Sequence, residues 1–134
     1  MSEVYGSDPS DIRVMIGPSV GPDYEVDDTV AGEVRKCLAE LSDAQAMPVH
    51  PEKNSGGSGQ LAAKREDILR PSEQDAHWYL DLWSLNREIL LGAGLRDEHI
   101  FCMGLSTLEY PGLFFSHRRS GGRRGLNAGI IALT

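Results

Sequence analysis

Four arginines within seven residues, Arg118, Arg119, Arg123 and Arg124, form the chemically most distinctive stretch of this chain. They sit in Gly112-Leu113-Phe114-Phe115-Ser116-His117-Arg118-Arg119-Ser120-Gly121-Gly122-Arg123-Arg124-Gly125, ahead of the apolar run Ala128-Gly129-Ile130-Ile131-Ala132-Leu133. A β-prone run entering a Gly-rich turn and a second one leaving it predict a hairpin with a basic tip. Guanidinium groups offer a fixed fork of donors that matches phosphate or carboxylate oxygens, and nearby glycines let backbone N–H groups approach the same anion. The stretch therefore predicts an anion site, phosphate first. From these residues alone, a solvated hairpin whose arginines pair with surplus acids fits as well.

Other constellations are weaker. Cys102, His77, His99 and His117 lack C-x-x-C, H-x-x-x-H or related spacing, so no metal site is expected within this chain. Cys37 and Cys102 lie in apolar segments and read as buried, reduced thiols. Ser116 and His117 are adjacent, and on a strand adjacent side chains point to opposite faces, which argues against a serine triad. The block RRSGGRRG is too short to make an RNA-binding segment of an acidic chain.

Charge and composition bound the rest. Thirteen Lys plus Arg against twenty Asp plus Glu give a formal net charge of −7, which disfavours nucleic acid or an anionic membrane as general partners. No apolar run approaches the ~20 residues of a membrane span, and the N-terminus lacks the basic and apolar regions of a signal peptide, so a cytoplasmic protein is expected. At 134 residues with 40% hydrophobic content, one domain over 1–134 is expected.

These side chains need elements to hold them. Ile12–Ile16 reads as a strand, followed by Gly17-Pro18-Ser19-Val20-Gly21-Pro22-Asp23-Tyr24-Glu25-Val26, whose two Gly-Pro steps predict a stiff irregular loop. Asp27 or Asp28 can cap a helix running to about Ser42, with Val30, Val34, Cys37, Leu38 and Leu41 on its buried face. A Gly-, Ser- and Pro-rich flexible surface insertion is expected at about 45–75, with a short helix over Leu61–Leu69. His77–Leu80 predicts a strand, and Asp81 the cap of a second helix bearing Leu82, Leu85, Ile89, Leu90 and Ala93, with Gly92 and Gly94 ending it. His99–Met103 predicts a short buried strand.

Three motifs in order, GPSVGPDYEV, LDLWSLNREILLGAGL and LFFSHRRSGGRRGLNAGIIAL, resemble the C-terminal half of the YfiH family. This is the bacterial laccase-domain or polyphenol-oxidase family, also described as purine nucleoside phosphorylase and adenosine deaminase. The resemblance runs from about Tyr5 to the end, outside the insertion. It implies an α/β fold, a layered α/β sandwich in which helices pack on a mixed sheet. It also implies phosphate and a purine nucleoside as ligands, and zinc or copper in the full-length family. The family's metal-binding histidines and cysteine belong to the preceding half, so no cofactor is expected in this chain alone and a complementing N-terminal half is an expected partner. Arg118 and Arg119 align with the family's paired arginines. With Ser116 and His117 they make up the candidate phosphate- and substrate-binding set, and the loop from Gly17 to Val26 is expected to line the site. Two departures stand out: a single residue, Asp23, separates Pro22 from Tyr24 where two are expected, and Asp27 replaces a usual Gly.

Two functions follow. One is a purine nucleoside phosphorylase and adenosine deaminase present as its C-terminal half, with an incomplete active site; the other is a non-catalytic anion- or nucleotide-binding remnant or interaction module.

Overall fold

Two small sheets and two long helices carry the architecture of the computed structural model, which describes residues 2–45, 65–123 and 125–130. In chain order these are α1 (Ser2–Tyr5), β1 (Val14–Ile16), β2 (Tyr24–Asp27), α2 (Asp28–Gln45), β3 (Leu69–Pro71), β4 (His77–Leu80), α3 (Leu82–Gly92), β5 (Ile100–Cys102) and α4 (His117–Ser120). Strands β1 and β5 pair in parallel, Val14 with Ile100, Met15 with Phe101 and Ile16 with Cys102. Their pairing continues through the Met103 amide to the Ile16 carbonyl at 3.0 Å and a bridge between Ser19 and Ser106. The second sheet is antiparallel in the order β2-β4-β3. The fold is thus mixed α/β with packed helices, its parallel and antiparallel pairings divided between two sheets.

The core lies between α2 and the antiparallel sheet. Val26, Ala31, Val34, Ile68 and Leu80 are buried together, with Tyr24, Leu38, Leu69, Trp78, Leu82 and Leu85 packed around them. Helix α2 starts where Asp27 accepts the Val30 amide at 2.9 Å, and Asp28 accepts the Trp78 indole N–H at 2.6 Å. That start sets the rotation of the helix: Ala31 is fully buried, whereas Val30, expected in the apolar stripe, is 42% exposed. Cys37 and Cys102 are free thiols and half-buried rather than buried.

Asp81 caps α3, accepting the amides of Trp83 and Ser84 and the Ser84 hydroxyl while only 5% exposed. The two glycines at the far end act differently. Gly94 takes the left-handed conformation at φ +90°, while Gly92 admits α2, since a Cβ there would stand 2.4 Å from Leu41. Ile89, expected on the buried side, is 39% exposed.

Most of the expected insertion, residues 46–64, lies outside the described residues, as does the Leu61–Lys64 part of its expected helix. Arg65–Asp67 is a single 3-10 turn, and Leu69–Pro71 is a strand rather than helix. Ile68 between them is fully buried, its carbonyl accepting the Asp81 amide at 2.8 Å. Proline is tolerated in β3 because that strand is the edge of its sheet. Tyr24–Asp27 likewise pairs as a strand, although an irregular loop was expected as far as Val26.

Among the described residues the expected basic hairpin does not form. Ser116 accepts the Arg119 amide and starts a one-turn helix, which Gly121 ends at φ +58°. On the approach, the Asn127 side-chain amide accepts the Phe115 N–H at 3.0 Å and donates to the Phe115 carbonyl at 2.8 Å, taking both backbone groups that a hairpin partner would use. The described residues 125–130 have no regular structure; Ile131, Ala132 and Leu133 of the expected second strand lie outside the described residues. No described helix is long and apolar enough to cross a membrane.

Candidate functional site

Residues far apart in the chain meet in an open groove of about 280 Å³, where Tyr24, Glu25, Asp27, Val30, His77 and Arg118 line the walls. Pairing of β2 with β4 builds one wall: Asp27 stands opposite His77 and Glu25 opposite Tyr79. The first turn of α2 contributes the outward-facing Val30, and α4 contributes Arg118. The Arg118 guanidinium lies over the Tyr24 ring, 4.5 Å from its centroid, a cation–π contact that holds an exposed cation in place.

Hydrogen bonds orient the groups around this cation. Glu25 accepts the Ser72 hydroxyl at 2.5 Å, and Asp27 is occupied by the Val30 amide. His77 Nδ1 is 2.9 Å from the Asp75 carbonyl, which can only accept, so Nδ1 carries the hydrogen. Its Nε2 faces the Gln74 side-chain amide at 3.4 Å. One guanidinium beside two carboxylates can contact a phosphate oxygen but does not neutralise a dianion by itself.

The four residues singled out from the sequence take separate positions. Arg118 faces the groove. Arg119 turns away and donates to the carbonyls of Thr107 at 3.0 Å, Leu108 at 3.2 Å and Phe114 at 3.1 Å, tying α4 to the turn after β5. Ser116 is 4% exposed and serves as the helix cap, while His117 is the exposed first residue of α4. Arg123 is exposed and Arg124 lies outside the described residues. The sequence pointed to the loop that carries Tyr24 and Glu25 but not to Asp27, Val30 and His77, which the β2–β4 register and the start of α2 bring to it.

Among the described residues no three of His, Cys, Asp and Glu come together in a way that could hold a metal ion. The described donors therefore do not fit the zinc or copper implied for full-length family members, and no chemical step is assigned to a metal.

A model of the family described as multi-copper polyphenol oxidoreductase laccase matches residues 1–134. The chain belongs to this laccase family. Among its laccase-family relatives, the purine nucleoside phosphorylase YlmD of Bacillus subtilis is 39% identical over 98% of this chain and 39% of its own length. YlmD of Geobacillus stearothermophilus, also named a purine nucleoside phosphorylase, is 36% identical over 87% of this chain and 34% of its own. The crystal structure of Bacillus licheniformis YfiH superposes with a TM-score of 0.62 and 31% identity, over 88% of this chain and 36% of that one. The chain thus spans between a third and two fifths of these laccase-family proteins.

Proposed function

We propose that the chain supplies the phosphate-facing wall of a purine nucleoside phosphorylase. Arg118 is the residue that contacts phosphate, and Arg119 is the positioning residue beside it. The observation that carries this reading is the Arg118 guanidinium held over Tyr24 at a groove, in a chain homologous to proteins named for that activity. In phosphorolysis a phosphate oxygen forms a bond to the sugar C1′ as the bond from C1′ to the base nitrogen breaks, and the departing base keeps the electron pair and takes up a proton. Arg118 would lower the cost of bringing the anionic nucleophile into contact with the sugar. The nearby Glu25 and Asp27 carboxylates oppose a dianion, so further positive charge from elsewhere in a complete enzyme is part of this reading. The same charge balance, with the lack of a metal-ligand cluster among the described residues, favours as second reading a non-catalytic anion-binding module.

The test is release of base from inosine or adenosine, with and without phosphate. It is run on the chain alone and on a chimaera in which the chain replaces the matching segment of B. subtilis YlmD. Phosphate-dependent release by the chimaera, reduced about 10- to 150-fold by Arg118→Ala, is expected, as loss of a charge-assisted hydrogen bond of ~1.5–3 kcal/mol requires. A folded chimaera without turnover that still binds phosphate through Arg118 would select the binding module.

A further inference from the structure

The β1–β5 sheet leaves one face bare. Met15 and Phe101 are register partners and so project from the same side of this parallel pair, and Met103, two residues on from Phe101, continues that side. They are 64%, 48% and 47% exposed. The opposite face, with Val14, Ile16, Ile100 and Cys102, is half-buried, and α3 packs on β5. Parallel strands are characteristically covered on both faces and extended by further strands, whereas among the described residues this sheet has two strands and no third one beside them. Met and aromatic side chains clustered on one exposed face have the composition of a buried interface centre. A second exposed apolar set lies toward the other end of the chain, with Leu113 72%, Leu126 82% and Ile130 94% exposed on segments without regular structure.

We infer that the Met15, Phe101 and Met103 face of the β1–β5 sheet is a docking surface for polypeptide that carries the remainder of the laccase-family fold, with a strand of that polypeptide extending the sheet. The occupant follows from the comparison. Solved relatives superpose on this chain through only 36–37% of their own length, so in those proteins well over half of the polypeptide is additional to the part seen here. A second copy is the poorer occupant, because each copy brings a net charge of −7 to the contact. Strand addition at an open edge joins main-chain hydrogen bonds to side-chain burial on the bare face, which supplies both affinity and register. This inference rests on family membership and the exposed face, and not on catalysis.

The experiment compares the chain alone with the YlmD chimaera, using the methyl NMR signals of Met15 and Met103 and a soluble paramagnetic agent. The expected result is at least about threefold less paramagnetic relaxation of both methyls in the chimaera, where solvent is excluded from an interface centre. The pair Met15→Asp and Phe101→Asp should lower the melting temperature of the chimaera by roughly 5 °C or more and that of the chain alone by less than about 2 °C. Ile89→Asp, on the exposed side of α3, should not discriminate between the two. Equal methyl exposure in both proteins, or equal sensitivity to the Asp pair, overturns the inference. Concentration-dependent protection of the methyls in the chain alone overturns it in favour of a second copy. Should the chimaera be insoluble, the chain is co-expressed with the remainder of YlmD as a separate polypeptide. A complex abolished by the Asp pair then supports the inference, and failure to co-purify overturns it. None of these readouts requires turnover, so loss of activity and loss of docking are told apart.

Discussion

Arg118 and Arg119 are neighbours in sequence, and replacing each by Ala should produce opposite effects. Arg119 donates to three backbone carbonyls, of Thr107, Leu108 and Phe114. A hydrogen bond from a charged donor is worth ~1.5–3 kcal/mol when water cannot replace it. That holds best at Thr107, which is 6% exposed; Leu108 and Phe114 are half-buried, so water compensates part of their loss. Counting one bond fully and two in part gives a cost of about 2–4 kcal/mol for Arg119→Ala, hence a fall in melting temperature of roughly 6–20 °C for a domain of this size. Arg118 is exposed and gives up one cation–π contact, so Arg118→Ala should cost only about 0.5–1 kcal/mol. Thermal melts followed by circular dichroism, with calorimetric titration of phosphate into the chain and the chimaera, measure both properties. Arg118→Ala should melt close to the parent and lose phosphate affinity by about 10- to 150-fold. Arg119→Lys should recover little of the lost stability, because an ammonium cannot reproduce the planar fork that reaches three carbonyls. An Arg119→Ala protein as stable as the parent that no longer binds phosphate would refute the division of roles.

Two further expectations concern the frame around the groove. Asp81→Ala removes a helix cap worth ~0.5–2 kcal/mol and strands the buried Ser84 hydroxyl at ~1–3 kcal/mol, so denaturant unfolding should show a loss of about 2–4 kcal/mol; a loss below about 0.5 kcal/mol would contradict the buried cap. The Asp8 carboxyl is held below its ordinary value of 3.8 by hydrogen bonds from Ser10, backbone first, opposed by slight desolvation and aided by the charge of Arg96. With a folded value below the unfolded one, its contribution is present above pH 3.8 and is lost as pH falls through the folded value; an NMR titration midpoint for Asp8 at or above 3.8 would disprove this.

Local chemistry determined a good deal before any tertiary contact. The cap at Asp81, and that of α2 to within Asp27 or Asp28, are read from short acidic side chains ahead of apolar periodicity, because a cap satisfies amides only two or three residues away. Ordered motifs likewise sufficed to mark the laccase family. Tertiary structure decided what depended on partners distant in sequence. Among the described residues the β-prone run ahead of Arg118 pairs with no facing strand, because strand pairing needs free backbone groups and Asn127 occupies those of Phe115. Val30, expected in the apolar stripe, faces outward while Ala31 is buried, because the start of α2 at the end of β2 sets which face of the helix meets the sheet. Ile68 became core because its backbone meets Asp81. Arg118 and Arg119 look equivalent as two adjacent arginines, but successive residues of a helix turn point about 100° apart, so one reaches Tyr24 and the other the carbonyls after β5. Composition fixes which groups are available; only the packed chain sets the direction in which each one points.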